Sequence, residues 1–253
     1  MRTSITEGVK HLLIINVIMY AGMMLMGNNG ELFMQWFALY FPKNELFQPW
    51  QVLTHMFMHS NVTFAHILFN MFALWMFGTA VEQIFGMRKF LVFYLLSGFG
   101  AATIQIAFLY FQFNSGLSAL MDAGFSQTEI LSTLANGEYN TRWATILGKD
   151  FNSFAGSYIS PMVGASGAIM GVLVAFGMLF PESKLMLIFL PIPIKAKYFI
   201  PAIIGLDLFS AITGSSIFSP SNTAYMAHVG GALTGFLLMY FWKKNETDKY
   251  RWN

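Results

Sequence analysis

Long apolar segments alternate with short stretches of Gly, Pro, Asn or charge along the whole chain. The hydrocarbon core of a bilayer requires roughly 20 mostly apolar residues per helix, so the pattern predicts six membrane-spanning helices. They are expected at residues 9–26, 64–85, 90–112, 164–181, 197–213 and 223–242. The start of the fifth is irregular, since Pro191, Pro193 and Pro201 interrupt its apolar stretch. The predicted fold class is all-α, a polytopic membrane protein in which residues 1–253 form a single domain.

Two connections between the predicted spans are too long to be simple turns. Residues 27–60 contain Trp36, Trp50 and several Phe, which favours a re-entrant outer loop lying in the headgroup layer. Residues 113–163 are the most polar stretch of the chain and include a possible short helix at 126–135. Connections of this length are usually functional or mobile, but this one shows no catalytic pattern.

The basic residues predict the orientation of the spans. Only Lys43, Arg142 and Lys149 fall on one side of the predicted membrane, and the other basic residues fall on the opposite side. Cytoplasmic loops carry the excess of Lys and Arg, so both termini are expected in the cytoplasm. The first apolar run resembles a signal peptide, but no small-x-small cleavage site precedes the turn at 27–30, and we expect a retained span.

Composition agrees with a membrane protein and excludes several functions. Hydrophobic residues make up 56% of the 253 residues and charged residues 10%, whereas a soluble domain carries about 25% charged residues. The formal charge is only +2, and the basic residues form short clusters rather than a continuous face, which argues against a nucleic-acid partner. The absence of cysteine excludes disulfides, thiol catalysis and cysteine-ligated metals.

Polar groups are costly in hydrocarbon, so those inside the apolar segments indicate chemistry. Ser166 lies in Gly164-Ala165-Ser166-Gly167 at the start of the fourth span, beside the free N–H groups and positive dipole of a helix N-terminus. His228 lies in the sixth span, where a neutral histidine can accept a proton. Both are followed by G-x-x-x-G patterns, which also occur where membrane helices simply pack closely.

A second group of histidines precedes or begins the second span. His66 and Asn70 are four residues apart, so they share one helix face and could donate toward one point, as an oxyanion hole requires. The alternative is a metal site made by His55, His59 and His66. A zinc peptidase would need a glutamate beside its first histidine, and position 56 is Met.

Two acidic residues lie within or beside spans. Asp207 could orient His228, but a residue at the outer helix end that caps a loop or reaches water is the favoured interpretation. Glu82 is expected to stabilise a cytoplasmic turn through Arg88 and Lys89.

Five features, in this order along residues 45 to 240, resemble the rhomboid family of intramembrane serine proteases. They are the segment from His55 to His59, His66 with Asn70, Glu82 with Gly86, the segment from Gly164 to Gly167, and Ala227-His228. Two positions depart from patterns common in that family. Gln51 follows Trp50 where many relatives have arginine, and Met170 stands where some relatives stack a tyrosine on the catalytic histidine.

The resemblance implies a catalytic dyad in which Ser166 is the nucleophile and His228 the base, without an obligatory third acid. It also implies an oxyanion hole made by the side chains of His66 and Asn70 and the backbone N–H of Ser166. The residues expected to support the site are His59, His55, Gly164 and Gly167. Neither a metal nor another cofactor is implied.

The expected function is therefore that of a serine endopeptidase which cleaves single-span membrane proteins near the outer bilayer face. Membrane lipid is its other expected partner, and the bacterial inner membrane its expected location. Substrate access would need a mobile element, either the fifth span or the loop 214–222. The alternatives are a catalytically inactive rhomboid relative that binds membrane helices, and a transporter or channel, although no inverted repeat is visible.

Overall fold

The computed structural model describes residues 4–27, 30–187, 190–214 and 224–249. The described chain is mostly helical, and its helices are α1 (Glu7–Leu25), α2 (Glu31–Phe37), α3 (Gln51–Thr54), α4 (Phe64–Ala73), α5 (Thr79–Phe85), α6 (Met87–Asp122), α7 (Gln127–Ala135), α8 (Thr141–Leu147), α9 (Phe151–Ile159), α10 (Ser166–Leu179), α11 (Ala196–Thr213) and α12 (Tyr225–Lys249). A π-helical turn at Leu74–Gly78 joins α4 to α5, so that Phe64–Phe85 forms one long helix.

Four helical segments in the described part of the chain are long and apolar enough to cross a membrane. They are Glu7–Leu25, Phe64–Phe85, Met87–Asp122 and Ala196–Thr213. Helix α10 is apolar but has only 14 residues. The predicted loop 214–222 lies outside the described residues beyond Gly214.

The all-α prediction is wrong in one place, because a short antiparallel hairpin connects α10 to α11. Strand β1 (Lys184–Leu187) pairs with β2 (Leu190–Lys195), with Lys184 opposite Lys195 and Leu185 opposite Ile194. Two prolines of β2 prevent a helix here, and α11 begins only at Ala196.

Glu182, which precedes the hairpin, forms ion pairs with the end of β2 and the start of α11. Glu182 forms ion pairs with Lys195 at 2.7 Å and with Lys197 at 2.5 Å. The hydrogen bonds from these two lysines lower the pKa of the Glu182 carboxyl to about 2. These ion pairs are exposed to solvent, so they join the residue before β1 to the end of β2 and the start of α11 with only a small contribution to stability.

The connection after the third predicted span forms a second packed unit. Helix α6 has 36 residues, about 54 Å at 1.5 Å per residue, and extends well beyond the predicted limit at 112. Its end packs with α7, α8 and α9 around Phe113, Trp143 and Phe154, and Phe41 of the 27–60 segment joins the same core. The short helix predicted at 126–135 is confirmed as α7. The 113–163 connection is thus a small helical unit rather than an irregular loop.

Close contact of backbones brings α10 and α12 together. A side chain at Gly231 would overlap the carbonyl oxygen of Gly167, and one at Gly235 would lie 2.6 Å from Cα of Gly171. The two G-x-x-x-G patterns of the sequence therefore pack against each other. This crossing fixes the positions of Ser166 on α10 and His228 on α12.

The expected role of Glu82 is corrected by the structure. Its buried carboxylate accepts hydrogen bonds from Thr6 Oγ1 at 2.6 Å, Gly8 N at 2.8 Å and Val9 N at 2.7 Å. Glu82 therefore caps the N-terminus of α1, where free N–H groups and the helix dipole favour an anion, rather than pairing with basic residues of its own turn.

Candidate active site

The 27–60 segment holds the residues before Ser166 in an extended form. Leu39 and Met162 exchange two backbone hydrogen bonds, of 3.0 and 2.8 Å, and Gly164 N donates to the carbonyl oxygen of His55 at 3.0 Å. Gly164 has a φ of +125°, which L side chains rarely adopt, and a Cβ there would lie 3.1 Å from His66 Nε2. Glycine at 164 therefore permits both the turn into α10 and the close approach of His66.

Ser166 and His228 are brought together although 62 residues separate them. Ser166 Oγ lies 2.8 Å from His228 Nε2. Ser166 is the first residue of α10, and His228 lies in the first turn of α12. Gln105 of α6 helps to position that turn, since its side-chain oxygen accepts a hydrogen bond of 3.1 Å from Ala227 N. Gln105 was not predicted as a site residue, since its only signal in the sequence is an amide inside a long apolar segment.

Asp207 was expected to lie at a helix end and to cap a loop or reach water, and its burial contradicts the expected contact with water. Its carboxylate is buried, and its Oδ2 lies 2.8 Å from His228 Nδ1, so among the described residues it faces the histidine instead of reaching water. Helix α11 therefore contributes a side chain to the same site as α10 and α12.

His66 Nε2 and Ser166 Oγ border the same space. Ser60 N donates to His66 Nδ1 at 3.1 Å, so in the neutral ring the proton resides on Nε2. A Cβ atom added at Gly164 would lie 3.1 Å from His66 Nε2 and 3.5 Å from Ser166 Oγ. The nitrogen and the hydroxyl oxygen therefore face the same small space. Asn70 instead donates one amide hydrogen to the carbonyl oxygen of His66 at 2.7 Å, which leaves its second amide hydrogen for another acceptor.

The two remaining histidines of this group are buried beside the site. His55 Nδ1 bonds to the carbonyl oxygen of Gln51 at 2.9 Å, and the ring of His59 packs edge-on against His66 with 5.2 Å between centroids. Burial lowers the pKa of His55 to about 4, and burial together with His66 lowers the pKa of His59 to about 3. Both rings are therefore neutral at pH 7. No group of three or more His, Cys, Asp or Glu side chains among the described residues could hold a metal ion.

Gln51, one of the two departures from the pattern of the family that the sequence resembles, organises the 27–60 segment. Its buried side chain accepts hydrogen bonds from Tyr40 N and Gln48 N, and donates to the carbonyl oxygens of Gln35 at 2.8 Å and Leu46 at 2.9 Å. An amide can both donate and accept, which suits a site lined by backbone groups of both kinds. Met170, the other departure, is buried in the helical core below Ser166.

The arrangement defines a class of site. A serine hydroxyl next to a histidine ring nitrogen, with a second histidine N–H facing the same space, is the nucleophile, base and oxyanion donor set of serine hydrolases. Here the set lies between helices of an integral membrane protein.

The chain belongs to the rhomboid family. The family model described as "Rhomboid domain" matches residues 46–245, which confirms the resemblance noted in the sequence. The match includes every residue of the candidate site.

Similar proteins include mitochondrial and bacterial rhomboids. Presenilin-associated rhomboid-like protein A, mitochondrial, of Danio rerio is 26% identical over 193 residues, which cover 74% of this chain and 38% of that protein. Rhomboid protease AarA of Providencia stuartii is 27% identical over 198 residues, covering 75% of this chain and 54% of that protein. Rhomboid protease GlpG of Salmonella paratyphi A is 35% identical over 92 residues, 36% of this chain and 32% of that protein. The chain thus matches well under two thirds of the length of these relatives.

Proposed function

We propose that this protein is an intramembrane serine endopeptidase that cleaves the transmembrane segments of single-span membrane proteins near the outer bilayer face. The observation that carries the proposal is the 2.8 Å distance between Ser166 Oγ and His228 Nε2. Membership of the rhomboid family, whose members include proteins named rhomboid proteases, supports the same conclusion.

The proposed reaction proceeds through an acyl-enzyme. Ser166 Oγ attacks the substrate carbonyl carbon while His228 Nε2 takes the hydroxyl proton. The tetrahedral intermediate collapses, the C–N bond breaks, and His228 gives the proton to the leaving amine. A water molecule, deprotonated by His228, then attacks the ester; the acid product leaves and Ser166 regains its proton.

The negative charge of the tetrahedral intermediate requires donors that are already in place. The donor set we propose is His66 Nε2–H, the free amide hydrogen of Asn70 and the backbone N–H of Ser166. The hydrogen bond from Ser60 N to His66 Nδ1 supports this role, because it leaves the Nε2 proton directed to the Ser166 side of the ring. His59 and His55 support the site through the ring of His66 and the loop that carries Gly164.

The length of α10 supports a site below the membrane surface. Its 14 residues span about 21 Å, whereas the hydrocarbon core is about 30 Å thick. If its inner end reaches the cytoplasmic boundary, Ser166 lies roughly 9 Å below the outer boundary. A transmembrane helix hides its carbonyl groups in hydrogen bonds, so the substrate expected is one whose outer helix end unwinds readily, with a small residue at the cleavage point.

We propose a six-span topology with both termini cytoplasmic and the 27–60 segment as a re-entrant outer loop, in a bacterial inner membrane. The ends of the spans support this orientation, since Glu182, Lys195 and Lys197 cluster at the end opposite the α7–α9 unit. The chain has no cysteine, so an introduced one is a unique label. A membrane-impermeant maleimide applied to intact cells is expected to label Lys149→Cys and not Lys184→Cys; the reverse labelling would overturn the orientation.

Cleavage of labelled single-span membrane proteins by the purified chain in liposomes tests the proposed activity. The unaltered chain is expected to cleave at least one member of a varied panel, while Ser166→Ala and His228→Ala do not. If all three cleave alike, the activity belongs to a contaminant. If none cleaves but the unaltered chain and Ser166→Ala both retain panel members, the protein is a helix-binding relative without protease activity.

A further inference from the structure

The acidic side chain on α11 has no explanation in a two-residue catalytic site. Helix α11 is apolar and exposes most of its side chains, yet Asp207 lies on it with only 9% of its side chain exposed. A carboxylate buried in a membrane protein is costly unless it is paired. Its environment must therefore supply a strong partner.

That partner is the imidazole of His228. The distance from Asp207 Oδ2 to His228 Nδ1 is 2.8 Å, and the histidine side chain is itself only 14% exposed. Within the described ranges no lysine or arginine forms an ion pair with Asp207, and no backbone N–H donates to it. The carboxylate is thus oriented by the one ring whose other nitrogen contacts Ser166 Oγ.

We infer that Asp207 is a positioning residue that completes a Ser166–His228–Asp207 triad, an inference that rests on the proposed function. A carboxylate only accepts hydrogen bonds, so it fixes the neutral ring of His228 with its proton on Nδ1. The lone pair on Nε2 is then free to take the proton of Ser166. When His228 becomes protonated, the carboxylate 2.8 Å away stabilises the imidazolium through a charge-assisted hydrogen bond.

Asp207→Asn separates this role from simple packing. The amide keeps the size of the side chain, but its NH₂ can donate to Nδ1 and so favour the wrong tautomer of His228, which cannot accept the proton of Ser166. Turnover is expected to fall by at least ~10-fold and by up to ~10⁴-fold, which is the loss seen for the equivalent change in a soluble triad protease. The KM should stay within about twofold, because the substitution does not alter substrate binding. Asp207→Glu should restore part of the turnover, since it keeps a carboxylate.

Ser210→Ala is the matched control. Ser210 is also buried and lies on α11 one turn beyond Asp207, while the side-chain hydrogen bonds of His228 among the described residues go to Asp207 and Ser166. Its replacement disturbs the packing of α11 without altering the histidine, so turnover should remain within about twofold of the unaltered chain. A loss of turnover in Ser210→Ala equal to that in Asp207→Asn would overturn the inference in favour of a packing role.

A second experiment measures which ring nitrogen of His228 carries the proton. It requires neither a substitution at position 207 nor a substrate. Ring ¹⁵N chemical shifts of histidine-labelled protein in liposomes, assigned by loss of signal in His228→Asn, are expected to show the Nδ1–H form in both the unaltered chain and Ser166→Ala. The Nε2–H form would overturn the inference, as would normal turnover in Asp207→Asn. Failure of the proposed function has a different signature, namely full cleavage by Ser166→Ala.

Discussion

Replacement of Gly235 by alanine tests whether the α10–α12 crossing sets the geometry of the site. The added Cβ would lie 2.6 Å from Cα and 2.8 Å from the carbonyl oxygen of Gly171, both backbone atoms that no rotamer change can move away. Carbon atoms prefer separations of about 3.5 Å or more, so the two helices must separate by about 1 Å.

The magnitude of the effect follows from that displacement. Overpacking of a close contact costs about 1–3 kcal/mol of stability. A separation of about 1 Å along the whole crossing would also take the Ser166 Oγ–His228 Nε2 distance from 2.8 Å beyond hydrogen-bonding range. Misplacement of this size costs on the order of 10²-fold in rate. Gly235 lies two helical turns from His228, so the loss would be transmitted by the helix and not by a direct contact.

Thermal unfolding in detergent and cleavage in liposomes measure the two effects. Gly205→Ala on α11 is the control, because a Cβ there meets nothing within 4 Å and alanine in a helix interior should stabilise by about 0.5–1 kcal/mol. Melting and cleavage of Gly235→Ala equal to those of the control would mean that the two helices are not in backbone contact at this point.

Three further predictions concern stability. Glu82→Gln should lower the free energy of unfolding by about 1–3 kcal/mol, because the neutral amide replaces a buried carboxylate that accepts three hydrogen bonds from the start of α1; unfolding in detergent measures this. Gln51→Ala should increase the rate of limited proteolysis in residues 38–50 severalfold, because it leaves buried backbone groups of the 27–60 segment without partners. Stability should fall between pH 7 and 5, by about 4 kcal/mol for His55 and His59 together. Unfolded histidines, with a pKa near 6.5, bind protons in this range, while the folded ones, with pKa values of about 4 and 3, do not. Well above the unfolded pKa neither form binds these protons, so no effect is expected there; unfolding measured across this pH range tests the sign.

Each of these predictions has a contradicting result. Unchanged unfolding of Glu82→Gln would mean that the α1 cap does not stabilise the fold, and unchanged proteolysis of Gln51→Ala would remove that side chain from the support of the loop. For the pH effect, His55→Asn and His59→Asn in one chain should flatten the profile. Constant stability of the unaltered chain from pH 7 to 5 would contradict the burial of the two neutral rings.

The sequence was informative wherever a polar residue interrupted an apolar segment with small neighbours. Ser166 and His228 were recognisable because glycine patterns beside them predicted close helix packing, and the structure brings the two side chains within 2.8 Å. The spacing of His66 and Asn70 predicted a shared helix face. It could not reveal that Asn70 donates one amide hydrogen to the carbonyl oxygen of His66.

Elsewhere the deciding contacts were distant in sequence. Helix α11 is apolar on all sides, so no periodicity indicated which way Asp207 faces. Glu82 lies close to two basic residues along the chain, yet its partners are more than 70 residues away on α1. The prolines before α11 indicated a break, but an apolar stretch containing prolines does not distinguish an interrupted helix from the hairpin that forms here.

The most direct test of the central claim is to locate the activated nucleophile without a substrate. The purified chain is treated in detergent with a fluorophosphonate, which modifies serines activated by a neighbouring base, and the modified residue is identified by mass spectrometry. A single adduct is expected on Ser166, and it should be lost in His228→Ala, although Ser166 itself is present in that variant. Adduct formation at another serine, or equal modification of Ser166 with and without His228, would contradict it.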